Sequence, residues 1–352
     1  MAFTVRPAKE PPDLVATPSR AGVTQAENVV TLAVATWLLL GLFVDGYAHD
    51  HLLVGQRESF FTSWHALFYS GYLATVAWLA VLSRRHAATT RHKRIPLPAG
   101  YEAAGVGLAV FAIGGVGDAI WHTIFGFERS NEALVSPTHL LLFIGLVLIV
   151  SAPFRAGSQR LLALVSVTLA TSLVAFFGAF AWGLANDTVL RVHYDPATEA
   201  GEVQLMAGLA GELVTTMILA GGALFVLRIR QAPRASCTVM FTIVALAFAM
   251  AFTEEMSGVL AASVGGATID FAWARAARWD KPTVATPTAI ALGITAMWWT
   301  YHALLFAGDQ LAWSAPLSAG SPVLSGLAAG ASVLIAQSGR AAAQAARSIS
   351  TP

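Results

Sequence analysis

The chain has 352 residues, 56% hydrophobic and 12% charged, with a formal net charge of +1 and a mean hydropathy of +0.64. A soluble domain carries about 25% charged residues, so this composition excludes a soluble enzyme and a disordered chain, and the charge balance gives no sign of nucleic acid as a partner. One cysteine, Cys237, excludes a disulfide framework and thiolate clusters, which leaves the nine histidines as the ligands to map.

Residues 1–26 hold Arg6, Lys9, Glu10, Pro11, Pro12, Asp13 and Arg20 and no apolar stretch long enough for a signal-peptide core, so they read as a polar cytoplasmic tail. A bilayer core about 30 Å thick needs roughly 20 apolar residues per helix. Such runs fall at about 28–48, 60–83, 99–123, 138–155, 161–185, 204–229 and 237–255. Segment 256–273 is weaker, being rich in Ala and Gly and carrying Asp270; 286–307 is clear, and 319–337 is built of small residues. The expectation is an all-α, polytopic transmembrane helix bundle of about ten helices, or nine if 256–273 is re-entrant or interfacial. Runs that are apolar on every face, without two-residue alternation, exclude a closed barrel.

Basic residues orient the bundle. The stretch Arg84, Arg85, His86, Arg91, His92, Lys93, Arg94 is the densest cationic loop, and Arg155, Arg160, Arg228, Arg230 and Arg234 fall on the same side. That side is expected to be cytoplasmic, with the N-terminus inside, in a multi-pass protein of the plasma or inner membrane. Ten helices also place Arg275, Arg278, Lys281, Arg340 and Arg347 there. Membrane lipid is the expected surrounding, with other membrane proteins or a second copy as partners; Gly326 and Gly330 make a small-residue face in the last helix.

The informative feature is an internal repeat with an offset of about 73 residues. Asp45–Gly71 and Asp118–Gly145 each place an Asp four residues before a His (Asp45 and His49; Asp118 and His122). Each then runs through a loop with an Arg (Arg57; Arg129) to a Ser shortly before a second His (His65; His139), and each has a Gly six residues after that His. The organisation expected is therefore duplicated metal-site hairpins over 27–156 (repeats at about 28–83 and 99–156), remaining membrane helices over 157–340 and a tail from 341 to 352.

Helix geometry gives this spacing a chemical meaning. Residues i and i+4 share a face, and the second His opens the returning helix, so each hairpin presents one carboxylate and two imidazoles near one membrane surface. Two His and one carboxylate suit Cu, Fe or Zn with open positions. The same pattern also reads as interfacial polar groups, a buried structural hydrogen bond or a proton relay.

Asp118, His122 and the string Ser136-Pro137-Thr138-His139 resemble a membrane component of the copper membrane monooxygenases, the particulate methane and ammonia monooxygenases. That resemblance covers about 100 residues and implies copper near the outer face, with Asp45, His49 and His65 as a second set of the same kind. It also implies a copper-dependent, monooxygenase-like oxidoreductase. The interval from His122 to His139 is longer than in that family, the helices are too many for that component, and a soluble cupredoxin-like part is lacking.

Other polar residues are candidates for supporting roles. His51 lies two residues past His49, off its helix face. Glu212 sits well inside an apolar helix, where an ionised carboxylate costs several kcal/mol, so it is expected to be neutral, paired or facing a cavity as an extra ligand or proton carrier. Glu254 ends a helix on the outer side, and His302 lies in WWTYHALLFAG, which echoes HALFYSG of the first repeat. Trp64 and Trp121 read as belt aromatics or packing around the site, His193 as solvated, and His86 and His92 as members of the cytoplasmic basic loop outside the site. The leading expectation is a copper-binding membrane protein, oxidase-like or copper-handling; the alternatives are an intramembrane zinc hydrolase and a transporter or proton-relay protein.

Overall fold

Helix α1 (Gln25–Tyr47) begins at a capping box: the Thr24 hydroxyl accepts from the Glu27 amide while the Glu27 carboxylate accepts from the Thr24 amide. A computed structural model describes residues 22–52, 62–90, 97–126, 131–185, 195, 198–253, 255–276 and 282–350. The described chain is all α. After α1 come α2 (Ser63–Thr90), α3 (Glu102–Phe125), the short α4 (Asn131–Val135), α5 (Pro137–Val150), the short α6 (Ala152–Arg155) and α7 (Arg160–Phe177). Then follow α8 (Glu199–Val226), α9 (Ser236–Phe248), α10 (Ser257–Ala276), α11 (Pro282–Ala307) and α12 (Ala315–Ser350).

Ten of these helices, among the described residues, have seven residues or more, which matches the expected ten; eight are long and apolar enough to cross a membrane, α9 only with the π-helical turn Ala249–Thr253 that prolongs it. Helix α5 is apolar but only 14 residues long. Large apolar side chains such as Leu73, Val116, Ile124 and Phe306 stand exposed on the outside of the bundle, where hydrocarbon rather than water accounts for them. The protein is a multi-pass membrane bundle in contact with lipid.

Two departures from the expected spans have local causes. The run expected over 161–185 stops at Phe177, and residues 179–185 continue as a 3₁₀ turn and irregular chain. There Gly183 lies against the Trp298 ring and the Gly211 backbone, and its amide donates to Thr215 Oγ1 at 2.8 Å. At the other end, α12 continues past the expected limit at 337 to Ser350, through an Ala-rich stretch with high helix propensity.

The weak segment is helical throughout as α10, packed between α9 and α11. Its Asp270 has a structural use: the carboxylate accepts from the Cys237 amide at 3.1 Å, the Thr238 amide at 2.9 Å and the Thr238 hydroxyl at 2.7 Å. Helix α9 begins at Ala235, which offers no capping side chain, so a neighbouring helix supplies the acceptor for its free amides.

Among the described residues two large apolar cores, with α7 contributing to both, and a smaller one around Leu79, Leu82, Tyr101, Ala104 and Ala152 organise the bundle. One large core holds α1, α2, α3 and α5 together (Leu38, Phe68, Phe111, Leu142), and the other gathers α7 to α12. Within the first, α1 packs on α2 and α3 on α5. At the end remote from the duplicated histidines, Tyr101 donates to Asn28 Oδ1 at 2.8 Å and Trp78 donates to Thr31 Oγ1 at 2.8 Å, which ties α1, α2 and the start of α3 together.

Candidate metal centres

Each hairpin owes its close approach to matched glycines. A Cβ on Gly41 would stand 2.7 Å from Phe68 Cα, and one on Gly71 would stand 2.7 Å from Leu38 Cα. Gly114 and Gly145 occupy the corresponding places in the second hairpin, with contacts of 3.0 Å to Leu142 N and 2.8 Å to the Phe111 amide. Gly41 and Gly114 each lie one helical turn before the aspartate, so the returning helix comes near enough for its first-turn His to reach the carboxylate. The packing residues are exchanged in a volume-conserving way: Leu38 against Phe68 in one hairpin, Phe111 against Leu142 in the other, all buried.

In the first hairpin Asp45 Oδ2 lies 3.8 Å from His49 Nε2 and 3.4 Å from His65 Nε2. The two rings stand 5.5 Å apart. Asp45 Oδ1 is buried with no hydrogen-bond partner. Helix α1 widens into a π-helical turn, Ala48–Leu52, at His49, a local geometry that recurs at functional sites.

In the second hairpin Asp118 Oδ2 lies 3.4 Å from His122 Nε2, and Oδ1 lies 3.5 Å from His139 Nδ1. Thr138 donates to Asp118 Oδ1 at 2.9 Å. Helix α3 ends on Gly126, whose φ of 82° favours glycine, and the Gly126 carbonyl lies 3.2 Å from His122 Nδ1. A carbonyl only accepts, so Nδ1 carries a hydrogen and Nε2 is the nitrogen that faces Asp118 and is left to bind a metal; such a second hydrogen bond commonly orients a metal-binding histidine. Pro137 opens α5 behind the N-cap Ser136. Ser136 leaves the backbone uncapped because its hydroxyl is engaged at 2.6 Å with His139 Nδ1.

Both sets, Asp45/His49/His65 and Asp118/His122/His139, bring three potential ligand atoms within 4.8 Å of one another and can hold a metal ion. The donors are hard-to-borderline oxygen and imidazole nitrogen, a fit to zinc, iron or copper rather than to calcium or magnesium.

The remaining candidates fall elsewhere. His51 stacks on Tyr47 with ring centres 4.3 Å apart and lies outside the first trio. Glu212 and His302 meet each other, at 2.8 Å, within the second apolar core. Glu254, Arg57, Arg129, His92 and His193 lie outside the described residues.

Spacing gave no hint of Tyr69. One turn below His65, its ring stands 6.3 Å from the His65 ring, and a Cβ on Gly115 would meet its hydroxyl at 3.3 Å. It is close enough to interact with both Asp45 and Asp118. Beside it, α2 and α3 diverge to leave a groove of about 1010 Å³, lined by Thr62, His65, Tyr69, Phe111, Gly115 and Ile120 among others. His65 of the first trio thus opens on an apolar groove, whereas Asp118, His122 and His139 do not line it.

Comparisons of this chain with protein-family models, with curated proteins and with solved structures returned no match.

Proposed function

We propose that this is a membrane metalloprotein whose two hairpins each bind one copper ion, with the first site as the reactive centre and the second as a more enclosed companion. The observation that carries this reading is the convergence, twice over, of one carboxylate and two imidazoles from two helices within 4.8 Å. A buried carboxylate oxygen without a partner at Asp45 supports it further, because such an atom is costly unless a cation or a donor completes it. Copper is favoured over zinc or iron by the likeness of Asp118, His122 and Ser136-Pro137-Thr138-His139 to the copper membrane monooxygenases. The trios lie at the ends of α1 and α3, opposite the ends bearing Arg84, Arg85, Arg155 and Arg160, so the positive-inside rule puts them on the outer face.

Bound there, copper supplies one-electron redox chemistry with coordination positions left open. The chain's own residues do the rest. Asp45, His49 and His65 fix the donor geometry, and the walls contributed by Phe111 and Ile120 exclude water on the groove side of His65. Tyr69 places a hydroxyl between the two hairpins. An apolar molecule dissolved in the bilayer reaches His65 along the groove, which favours an oxidoreductase acting on a lipophilic substrate over a copper carrier.

The test is metal content by mass spectrometry on detergent-purified protein, comparing wild type with His49→Ala/His65→Ala and His122→Ala/His139→Ala. Copper near two ions per chain, falling by one with each pair, is the expected result. Zinc in the same stoichiometry turns the reading to an intramembrane hydrolase in which the metal activates water. Folded, metal-replete protein without bound metal overturns it.

A further inference from the structure

The second apolar core encloses a polar cluster that the metal trios do not use. Glu212 of α8 and His302 of α11 are 1% and 3% exposed, and His302 Nε2 lies 2.8 Å from Glu212 Oε1. Ser321 and Ser325, one turn apart on α12, donate to Oε1 at 3.2 Å and to Oε2 at 3.4 Å. The other ring nitrogen, Nδ1, lies 3.1 Å from the carbonyl oxygen of Ser318.

Proton counting follows from these contacts. A carbonyl oxygen only accepts, so His302 Nδ1 must carry a hydrogen. Nε2 then lies against Glu212 Oε1 with no hydrogen between them, and two electron-rich atoms at 2.8 Å repel. The contact therefore needs one further proton, on His302 Nε2 or on Glu212 Oε1. With it the pair is neutral overall; without it a lone negative charge remains inside the bundle, where charge is expensive. Among the described residues the polar partners of Glu212 are His302, Ser321 and Ser325. Tyr301, with its ring 6.5 Å from that of His302, is the nearest other titratable group on α11, while α7 and α9 add apolar residues such as Val167, Ala175, Val244 and Phe248 to the surrounding core.

The pair is under-bonded and close to an exposed link. The His302 Nε2 contact is short but is not aligned as a hydrogen bond, and the indole Nε1 of Trp313 is buried with no hydrogen-bond partner. Trp313 is 5% exposed and stands edge-on to His302, with ring centres 5.6 Å apart. It belongs to the chain between α11 and α12, whose Gly308, Asp309 and Gln310 are exposed. His302 lies five residues before the end of α11 at Ala307, about 7.5 Å of helix rise. Trp313 thus packs on His302 beside an exposed link, at the end of the bundle that carries the Asp/His/His trios.

We propose that Glu212 and His302 form a proton-binding site, independent of the metal trios, that is loaded and emptied past Trp313. A proton arriving from water binds His302 Nε2. Transfer breaks that N–H bond and forms an O–H bond on Glu212 Oε1, so the pair stays neutral; release returns the proton to water and leaves the carboxylate to Ser321 and Ser325.

The test uses the full chain in lipid nanodiscs, with infrared difference spectra and ¹⁵N-histidine NMR recorded as pH is stepped between roughly 5 and 8. Wild type is expected to give a reversible signal from one buried carboxyl and one imidazole. Glu212→Gln, nearly isosteric, should abolish the carboxyl signal and the coupled His302 response. Trp313→Ala should leave the amplitude in place and speed its appearance by about tenfold, the equivalent of about 1.4 kcal/mol in the opening step; Trp313→Phe should stay near the wild-type rate. The quadruple variant His49→Ala/His65→Ala/His122→Ala/His139→Ala should keep the signal. A wild-type pair that never titrates, a signal that survives Glu212→Gln, or one lost in the quadruple variant overturns the proposal.

Discussion

In the first hairpin the Asp45 side chain is 13% exposed and leaves Oδ1 without a hydrogen-bond partner, whereas in the second the Asp118 side chain is 3% exposed and Thr138 donates to its Oδ1. The difference traces to one position. Thr138 precedes His139, and the residue preceding His65 is Trp64, which has no hydroxyl to offer. Ser136 and Thr62 differ in the same sense: Ser136 engages the His139 ring, while Thr62 accepts from the His65 backbone amide at 3.1 Å. The ligand pattern is duplicated, but the groups around it have diverged. The second set is already supplied with its own hydroxyl partners; the first is open at His49, whose side chain is 31% exposed against 7% for His122, while the returning histidines run the other way, 11% for His65 against 24% for His139.

The largest effect is expected from the glycines. Gly71→Val puts side-chain atoms where a Cβ alone would stand 2.7 Å from Leu38 Cα, backbone that cannot move aside cheaply. It should cost about 1–3 kcal/mol and pull His65 from Asp45. Metal analysis should then show the first ion lost and the second kept; loss of both would mean that the hairpins fold as one unit.

Thr138→Val comes next. It leaves the buried Asp118 oxygen without its donor, a loss of about 1–3 kcal/mol that heating in detergent, followed by circular dichroism, should register as earlier unfolding. Added metal should restore part of that loss, because a cation can occupy the vacated direction.

A smaller effect, of opposite sign, is expected from Ser136→Ala. The hydroxyl competes with metal for His139 Nδ1, and removing a hydrogen bond of about 1 kcal/mol should raise second-site affinity about fivefold in competition titrations. Unchanged affinity would show that His139 binds metal through its other nitrogen. The smallest change is expected from Trp64→Thr, which offers Asp45 the donor it lacks. Slower release of the first ion to a chelator, by a few-fold, would convert the open site toward the enclosed one.

Much of this was legible in the sequence, and the reasons are local. Helix spans follow from hydropathy because lipid forces every backbone polar group into an internal hydrogen bond. Asp45 with His49, and Asp118 with His122, follow from helix periodicity within a single segment. The second histidines were legible because a short loop returns the chain to the same end of the bundle. Gly71 and Gly145 were visible as part of the repeat, and only their contacts explain them.

The rest depended on helices far apart in the chain. Glu212 was readable as a buried carboxylate in need of a partner, but His302, 90 residues later, becomes that partner only because α8, α11 and α12 pack together. Asp270 read as a blemish in a weak span and proves to cap α9 from a neighbouring helix. Periodicity reports which residues share a face; it is silent on what that face meets. Sequence alone thus determined the membrane bundle and both Asp/His/His trios. Tertiary packing decided which carboxylate is satisfied, which site opens on the groove and which buried acid finds its base, because those outcomes depend on distances between helices and not along them.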